Sequence, residues 1–395
     1  MHGLAIAFVL SWGTIVSNSF ARFAYALVLP AMRDELALSY SQAGWLNTAN
    51  AIGYLLGAVL TRLLVNRVGN RVLFCAGMPV TAAALLATGL TSDLGMLSAL
   101  RVVAGISGAA VFICGGALSG NIFPDDPKRA TLAITLFFGG SGLGLIGCGV
   151  AIPWLLEVRG NAAWPHTWIG MGVVSALLTL GSVVAARRIA EPSLLGRGSS
   201  AAAHWPAGRY LASLAGYLGF ALGYIGYMTF VVAWMRENGA DTGSVILVWC
   251  LLGVATLVAP WIWRVPFERW SGGRPMAAVM LVLAVGAGLP LLAASLPVML
   301  LSAALFGAAM FSVPASVNTL IKHTLPKPAW GAAMATYTIL FAAGQIAGPI
   351  VTGLLADASG SLRPGLALSV LVLLGGAMAA AAQRGVRPEL AAPVS

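Results

Sequence analysis

The chain has 395 residues, of which 59% are hydrophobic and 9% are charged, and its mean hydropathy is +0.90. Soluble domains carry roughly 25% charged residues, so this composition excludes a protein whose whole surface faces water. The net charge of +10 would suit a nucleic-acid binder, but the basic residues lie in short loops between apolar runs, and no nucleic-acid partner is expected. The four cysteines lie inside apolar stretches without paired spacing, which predicts neither disulfides nor a metal site.

Twelve apolar runs follow one another along the chain, and each is long enough to cross a membrane, which takes about 20 residues. In order they cover 4–30, 42–64, 72–91, 96–121, 130–156, 165–187, 210–234, 244–263, 276–295, 298–320, 331–356 and 365–383. The ninth and tenth runs meet at Ser295-Leu296-Pro297, where a single long span is the alternative. The first run has no basic segment or cleavage pattern beside it, so it predicts a retained helix. The expected fold class is an all-α membrane protein of twelve transmembrane helices.

The basic residues test this arrangement independently. With the N-terminus inside, sixteen of the 22 Lys and Arg residues fall in the inner loops, whereas the outer loops hold Arg33, Arg159, Arg236 and Arg363. The positive-inside rule predicts this bias, and one missed helix would scramble it. The sequence therefore predicts a multi-pass inner-membrane protein, with the lipid bilayer around it and both termini in the cytoplasm.

The two halves of the chain resemble each other. Several residues recur 202 positions later: Arg62 as Arg264, Arg67 as Arg269, and Tyr25 as Tyr227. A glycine spacing also recurs, from Gly140, Gly144 and Gly149 to Gly344, Gly348 and Gly353. These matches predict two six-helix pseudo-repeats, 1–188 and 209–395, joined by a cytoplasmic linker over 189–208. Paired repeats of this kind leave a cavity in which solute binds near the midplane.

Three motifs resemble those of the major facilitator superfamily. The segment 62–71 is similar to the loop signature Gly-x-Leu-x-Asp-Arg-x-Gly-Arg-Arg: it keeps Leu64, Arg67, Gly69 and Arg71, but Arg62 replaces the first glycine and Asn66 the aspartate. Arg101-x-x-x-Gly105-x-x-Gly108 resembles the fourth-helix motif. Gly344-x-x-x-Gly348-Pro349-x-x-x-Gly353-x-x-x-Asp357 resembles the eleventh-helix pattern.

The run FARFAYALVLP at 20–30 resembles a largely uncharacterised bacterial branch of that superfamily. The resemblance implies the major facilitator fold and secondary transport by alternating access. It also implies gating roles for residues at the matching loop and helix-end positions, namely Arg67, Arg71, Glu268, Arg269 and Asp357. Glu268-Arg269 keeps an acid–base pair in the second half, whereas Asn66 leaves the first half without the corresponding acid.

Two arginines stand out as candidate solute ligands. An ionisable side chain in the bilayer is costly, about 2.5–3.5 kcal/mol on insertion scales, and is by default a candidate functional residue. All twelve acidic residues and all four histidines fall in loops or at helix ends, which leaves Arg22 in the first helix and Arg101 in the fourth. A guanidinium in an apolar cavity suits an anion, because its fork matches a carboxylate bidentately. The alternative is that each arginine bonds backbone carbonyls and only orders the bundle.

Further polar and aromatic residues could line the solute site or could hold helices together. They share helical spacing within their runs: Asn18 and Tyr25 in the first helix, Asn47, Asn50 and Tyr54 in the second, Tyr224 and Tyr227 in the seventh, and Tyr337, Phe341 and Gln345 in the eleventh. The string Gly142-Leu-Gly144-Leu-Ile-Gly147 satisfies the dinucleotide-binding fingerprint, but it lies in mid-span with no strand before it. It therefore predicts close helix packing.

These features predict a monomeric secondary transporter for a small organic anion of the carboxylate type, without catalytic residues, cofactor or metal. The lack of an acid within the spans disfavours a proton-coupled exporter of cations or drugs. An efflux transporter for neutral or amphipathic compounds is the alternative, since an aromatic cavity suits such molecules. An integral-membrane enzyme is a weaker alternative, because neither an intramembrane acid pair nor a metalloprotease or serine-hydrolase motif occurs.

Overall fold

A computed structural model describes residues 3–191, 205–326 and 329–385, and the regular secondary structure within these ranges is entirely helical. Eleven continuous helical runs there are long and apolar enough to cross a membrane. One of them, Tyr40–Thr88, has 49 residues, or about 74 Å at 1.5 Å per residue, more than twice the thickness of a bilayer core. Gly69 breaks this run with φ 84°, so it supplies two membrane helices. The described residues therefore form twelve membrane helices, as predicted.

We number the helices α1 to α12. The first six are α1 at Gly3–Glu35, α2 and α3 before and after Gly69 within Tyr40–Thr88, α4 at Leu94–Gly120, α5 at Pro127–Arg159 and α6 at Trp164–Arg187. The other six are α7 at Leu211–Glu237, α8 at Thr242–Arg269, α9 at Arg274–Leu292, α10 at Leu296–Thr324, α11 at Trp330–Ser359 and α12 at Arg363–Ala381. The separation of α9 from α10 agrees with the prediction. Most of the predicted linker, 192–204, lies outside the described residues.

Several helix ends follow from local sequence. Ser39 caps α2 by accepting a hydrogen bond from the Gln42 amide at 3.2 Å, and the Gln42 side chain accepts one in return from the Ser39 amide at 2.9 Å. This reciprocal pair satisfies two amide donors that the first helical turn leaves without partners. Asp93 caps α4 in a similar way through the Met96 amide. These caps determine where the membrane helices begin.

α1 departs from a regular α-helix over Ile15–Phe23, where the backbone forms a π-helix. The Ala24 amide donates to the Ser19 carbonyl oxygen at 2.7 Å, five residues earlier instead of four. The regular α-helical spacing expected across 4–30 therefore does not hold, and polar residues along α1 turn towards different neighbours. Such wider turns are rare and are frequent at functional sites.

The described helices form two compact units. The first contains α1 to α6 together with Thr229–Val254, the end of α7 and the beginning of α8. Its core includes Leu10 and Val16 of α1, Phe74 of α3 and Phe137 of α5. The second contains the part of α7 before Thr229, the part of α8 from Ala255 onwards, and α9 to α12. The division into repeats 1–188 and 209–395 stays a prediction.

Glycines allow equivalent helices to approach closely in each unit. A Cβ atom at Gly140 of α5 would lie 2.3 Å from the Ser11 carbonyl oxygen of α1. A Cβ atom at Gly348 of α11 would lie 2.6 Å from the Leu222 carbonyl oxygen of α7. Both glycines belong to the repeated spacing, so a glycine of that spacing brings α5 close to α1 in the first unit and α11 close to α7 in the second. The predicted role of these glycines in close packing agrees with the structure.

Large apolar side chains also remain outside the packed helices. Leu177, Leu180, Leu371 and Met378 are each more than 60% exposed. Soluble monomers rarely expose contiguous apolar patches of more than a few hundred Å², whereas lipid tails accept such side chains without penalty. These faces are suited to contact with the bilayer.

A candidate solute site around two buried arginines

The buried charge of the described residues is cationic. Arg22 and Arg101 are 7% and 2% exposed and are the buried charged side chains in those ranges. Every aspartate and glutamate described there is half-exposed or exposed. Charges in a membrane interior are expensive and usually serve a function. The helices α1 and α4 therefore hold a region of positive potential inside the first compact unit.

Arg22 lies in the π-helical part of α1, and its guanidinium covers an aromatic ring of α2. The guanidinium carbon is 5.0 Å from the centroid of the Tyr54 ring and 5.6 Å from that of Phe23. Cations within about 6 Å of a ring centroid are attracted by the ring quadrupole. The structure thus brings together two of the predicted ligands, Arg22 and Tyr54, from different helices.

Asn18 faces α5. Its side-chain amide donates to the Ser141 hydroxyl at 3.1 Å, and the Ser19 hydroxyl donates to the Ser141 carbonyl oxygen at 2.7 Å. Gly144 makes room for this contact, since an added Cβ would lie 2.5 Å from the Ser19 side chain. Ser141 was not predicted from sequence, although its position beside Gly140 of the glycine stripe marks it as close to a neighbouring helix.

Arg101 bonds the backbone of two other helices. Its Nη1 donates to the Ala21 carbonyl oxygen at 2.7 Å and its Nε to the Leu46 carbonyl oxygen at 3.3 Å. The rings of Tyr25 and Trp168 lie 4.9 and 5.4 Å from the guanidinium carbon. These contacts are those expected if Arg101 orders the bundle, and direct contact with solute stays a prediction. Trp168 was not predicted, because a lone tryptophan in an apolar run carries no distinguishing signal.

Three more predicted residues of the first unit bond other helices. The Tyr25 hydroxyl donates to the Ala43 carbonyl oxygen at 2.7 Å, and the Asn50 amide donates to the Arg101 carbonyl oxygen at 3.1 Å. The Asn47 amide donates to the Thr229 hydroxyl at 2.6 Å, which joins α2 to the end of α7. In this arrangement the three side chains hold helices together, which was the alternative to solute binding.

The predicted residues of the second unit separate into two groups. The Tyr224 hydroxyl accepts a hydrogen bond from the Gln345 amide, and the Phe341 ring stacks on Tyr224 with centroids 5.9 Å apart and planes 10° apart. Tyr337 bonds the hydroxyl of Ser213 in α7 at 2.5 Å. Tyr227 instead bonds Ser302 of α10 at 2.6 Å. The structure therefore brings α7 and α11 residues together but directs Tyr227 towards another helix.

A carboxylate that was not predicted lies at the break between α2 and α3. Glu191 accepts hydrogen bonds from the backbone amides of Asn70 at 2.8 Å and Arg71 at 3.1 Å. The Arg71 guanidinium donates to the Ile189 carbonyl oxygen. A negative charge is stabilised at a helix N-terminus, where backbone amides lack helical partners. Glu191 lies in the predicted linker, and nothing in that stretch distinguished it.

The other residues with predicted gating roles lie at the surface. Glu268 forms an ion pair with Arg264, one turn earlier on α8, at 2.9 Å. Its partner in the structure is therefore Arg264 and not Arg269, its neighbour in sequence. Arg269 lines a pocket with His323 of α10. Arg67 and Asp357 are exposed. Their gating roles stay predictions. Within the described ranges no group of three His, Cys, Asp or Glu side chains is placed to hold a metal ion.

Two solved structures share this fold over nearly the whole chain. One is a bacterial homologue of the human lysosomal transporter Spinster, in an inward-facing and unoccupied conformation, with a TM-score of 0.72, 14% identity and 96% of each chain covered. The other is the nucleoside transporter NupG, with a TM-score of 0.74, 11% identity, and 96% of this chain and 98% of that chain covered. The expected major facilitator fold is confirmed.

Two relatives from Chlamydomonas reinhardtii are similar in sequence. Nitrate transporter 2.1 and nitrate transporter 2.2 are each 28% identical to this chain over 184 residues, or 44% of it. The similarity spans 33% and 35% of the lengths of those two proteins. Residues 14–381 match the family described as uncharacterised MFS-type transporter YbfB. The chain therefore belongs to this family of MFS-type transporters, and its membrane-spanning helices make it a multi-pass membrane protein.

Proposed function

We propose that this protein is a secondary transporter that moves a small organic anion of the carboxylate type by alternating access. The observation that carries the proposal is the sign of the buried charge: Arg22 and Arg101 are buried, while every described aspartate and glutamate reaches the surface. A guanidinium binds a carboxylate through two parallel hydrogen bonds. The nitrate transporters among the relatives are named for an anion, which supports the same charge class.

Arg22 is the proposed contact with the anion. It lies in the π-helical part of α1, where the wider turn changes the direction of successive side chains. Arg101 donates a hydrogen bond to the carbonyl oxygen of Ala21, the residue before Arg22. It therefore holds the backbone that carries Arg22. The protein is proposed to act as a monomer in a bacterial inner membrane with both termini in the cytoplasm, as the distribution of basic residues favours.

The test measures binding and transport of probe anions. Purified protein is screened by thermal shift against benzoate, acetate and nitrate, and uptake of radiolabelled benzoate and acetate is followed in proteoliposomes. Stabilisation and saturable uptake in the native protein, both lost in Arg22→Gln, support the proposal. Anion responses that are absent, or equal in native protein and Arg22→Gln, would overturn it. Arg159→Gln, at the exposed end of α5, is the matched control for loss of one positive charge.

One feature of the second unit favours the alternative, efflux of neutral or amphipathic compounds. Phe220, Tyr224 and Phe341 stack in nearly parallel planes, with Phe220 and Tyr224 centroids 4.7 Å apart and planes 15° apart. Stacked rings provide an apolar surface with specific geometry. Dye efflux from energised vesicles that depends on Phe341, together with no response to any probe anion, would favour this alternative.

A further inference from the structure

A row of three aromatic rings begins at Arg22. The Tyr54 ring of α2 lies under the Arg22 guanidinium, 5.0 Å from its carbon. The Phe112 ring of α4 follows, with its centroid 6.5 Å from that of Tyr54, and the Phe138 ring of α5 is 5.1 Å from Phe112. We call Tyr54, Phe112 and Phe138 the aromatic row. Three helices of the first compact unit thus contribute one ring each to a chain of contacts, and the first of these rings lies beside the Arg22 cation.

Exposure increases along the aromatic row, from the buried Arg22 to the exposed ring of Phe138. Arg22 is 7% exposed, Tyr54 and Phe112 are half-buried, and Phe138 is 40% exposed. The Phe138 ring contacts the Phe137 ring edge to face, with centroids 5.2 Å apart and ring planes inclined at 73°. Gly116 of α4 gives it room, because a Cβ atom there would lie 3.1 Å from the Phe138 ring. The exposed end of the row is therefore held in place while its ring remains accessible.

The spacing in this row matches the geometry of favourable aromatic pairs. Rings attract one another at centroid distances of 4.5–7 Å in tilted or edge-to-face arrangements, and the two pairs in the row are inclined at 62° and 56°. A planar ligand ring against Phe112 and Phe138 would continue this arrangement.

We propose that the substrate is an aromatic carboxylate, with its carboxylate on Arg22 and its ring against Phe112 and Phe138, which determine specificity. This inference rests on the proposed anion transport and names the substrate class within it. The stacked rings of the second unit are a poorer place for such a ligand, because Phe220, Tyr224 and Phe341 cover one another. The Tyr224 hydroxyl also bonds Gln345, and neither buried arginine belongs to that unit.

The test compares ligands that carry the same charge but differ in shape. Binding of benzoate, cyclohexanecarboxylate and acetate is titrated by thermal shift on the purified full-length protein. The native protein is expected to bind benzoate about threefold to tenfold more tightly than cyclohexanecarboxylate, because aromatic pairing adds to area burial by this amount. This comparison needs no variant and is independent of any folding defect.

Two variants then locate the preference. Phe112→Leu and Phe138→Leu keep an apolar side chain but remove the ring, and each is expected to reduce the ratio of benzoate affinity to acetate affinity about threefold to tenfold. Phe8→Leu, which removes an exposed ring of α1 outside the row, should leave that ratio unchanged. The inference is wrong if the native protein shows no preference for benzoate. It is also wrong if the preference survives in both row variants, as it would if Phe138 faced lipid.

The two proposals fail in different ways. If acetate and nitrate still bind in an Arg22-dependent manner while benzoate has no advantage over cyclohexanecarboxylate, anion transport stands and the aromatic class is wrong. If no anion binds in an Arg22-dependent manner, both proposals are wrong.

Discussion

The Arg101 guanidinium donates a hydrogen bond to the carbonyl oxygen of Ala21 at 2.7 Å, so α4 holds the residue that directly precedes Arg22. The same guanidinium reaches the Leu46 carbonyl oxygen, which precedes Asn47 in α2. One buried side chain therefore connects the backbones beside two predicted solute ligands. This relationship separates the two arginines by role: Arg101 positions the backbone, and Arg22 is the proposed contact with the anion.

Arg101→Gln is expected to destabilise the protein and to weaken anion binding together. The substitution removes charged hydrogen bonds to two buried carbonyl oxygens, each of which contributes about 1.5–3 kcal/mol. The midpoint of thermal unfolding should fall clearly below that of the native protein, and Arg101→Lys should recover part of the difference because an ammonium can still reach one carbonyl. An unchanged midpoint in Arg101→Gln would contradict the positioning role.

Arg22→Lys should separate charge from shape at the proposed anion ligand. Lysine keeps the positive charge but lacks the planar fork that binds a carboxylate through two hydrogen bonds. Benzoate uptake into proteoliposomes is expected to fall about tenfold, as for loss of one good hydrogen bond to a charged group, whereas Arg22→Gln should show no saturable uptake. Equal uptake by the native protein and both variants would show that Arg22 serves packing alone.

Gly140→Ala should disrupt the contact between α1 and α5. The new Cβ atom would lie 2.3 Å from the Ser11 carbonyl oxygen and 2.5 Å from the Thr14 hydroxyl, so the helices must move apart. Overpacking of this kind costs about 1–3 kcal/mol, which should lower the unfolding midpoint. Gly147→Ala is the matched control on the same helix, since nothing lies within 4 Å of its added Cβ. It is expected to be neutral or slightly stabilising, and a similar loss in both variants would exclude the packing explanation.

Glu191→Ala is expected to destabilise the junction between α2 and α3. The carboxylate accepts hydrogen bonds from the Asn70 and Arg71 amides, and a charge-assisted bond of this kind is worth about 1–2 kcal/mol when partly exposed. Glu191→Gln should lose less, because its side-chain oxygen can still accept one bond. Asp125→Asn, an exposed acid before α5, serves as the control. The measurement is thermal unfolding at constant ionic strength, and the prediction fails if Glu191→Ala matches that control.

The contacts α1–α5 and α7–α11 both depend on glycine, but they carry different polar residues. Gly140 allows α1 to approach α5 closely, and Gly348 allows α7 to approach α11 closely. The polar pair at the first contact is Asn18 with Ser141, and the pair at the second is Tyr224 with Gln345. Counting 202 residues from Arg22 leads to Tyr224. Both contacts thus depend on a glycine, whereas the position of the buried Arg22 is taken by the uncharged Tyr224 in the second half.

Sequence alone determined the number of membrane helices and the superfamily. A run of about 20 apolar residues has few alternatives to crossing a bilayer, because its backbone polar groups must bond internally. Glycine spacing was equally informative, since close backbone approach requires the missing Cβ. The extra break at Gly69 also agrees with the separation of the second and third apolar runs.

Only the tertiary structure decided which partner each polar side chain takes. Tyr25, Asn47 and Asn50 bond neighbouring helices, yet their spacing in sequence suited a ligand site equally well. The π-helical turn of α1 rotates Asn18 towards α5 and Arg22 towards Tyr54, and no residue pattern marked it in advance. Phe112 and Phe138 resemble ordinary apolar residues in the sequence, whereas in the structure they continue the ring contacts that begin with Tyr54 beside Arg22. Sequence could not predict these partners for a physical reason. The hydropathy of a run is a sum over single residues, whereas a hydrogen bond or a ring contact depends on the distance between two helices.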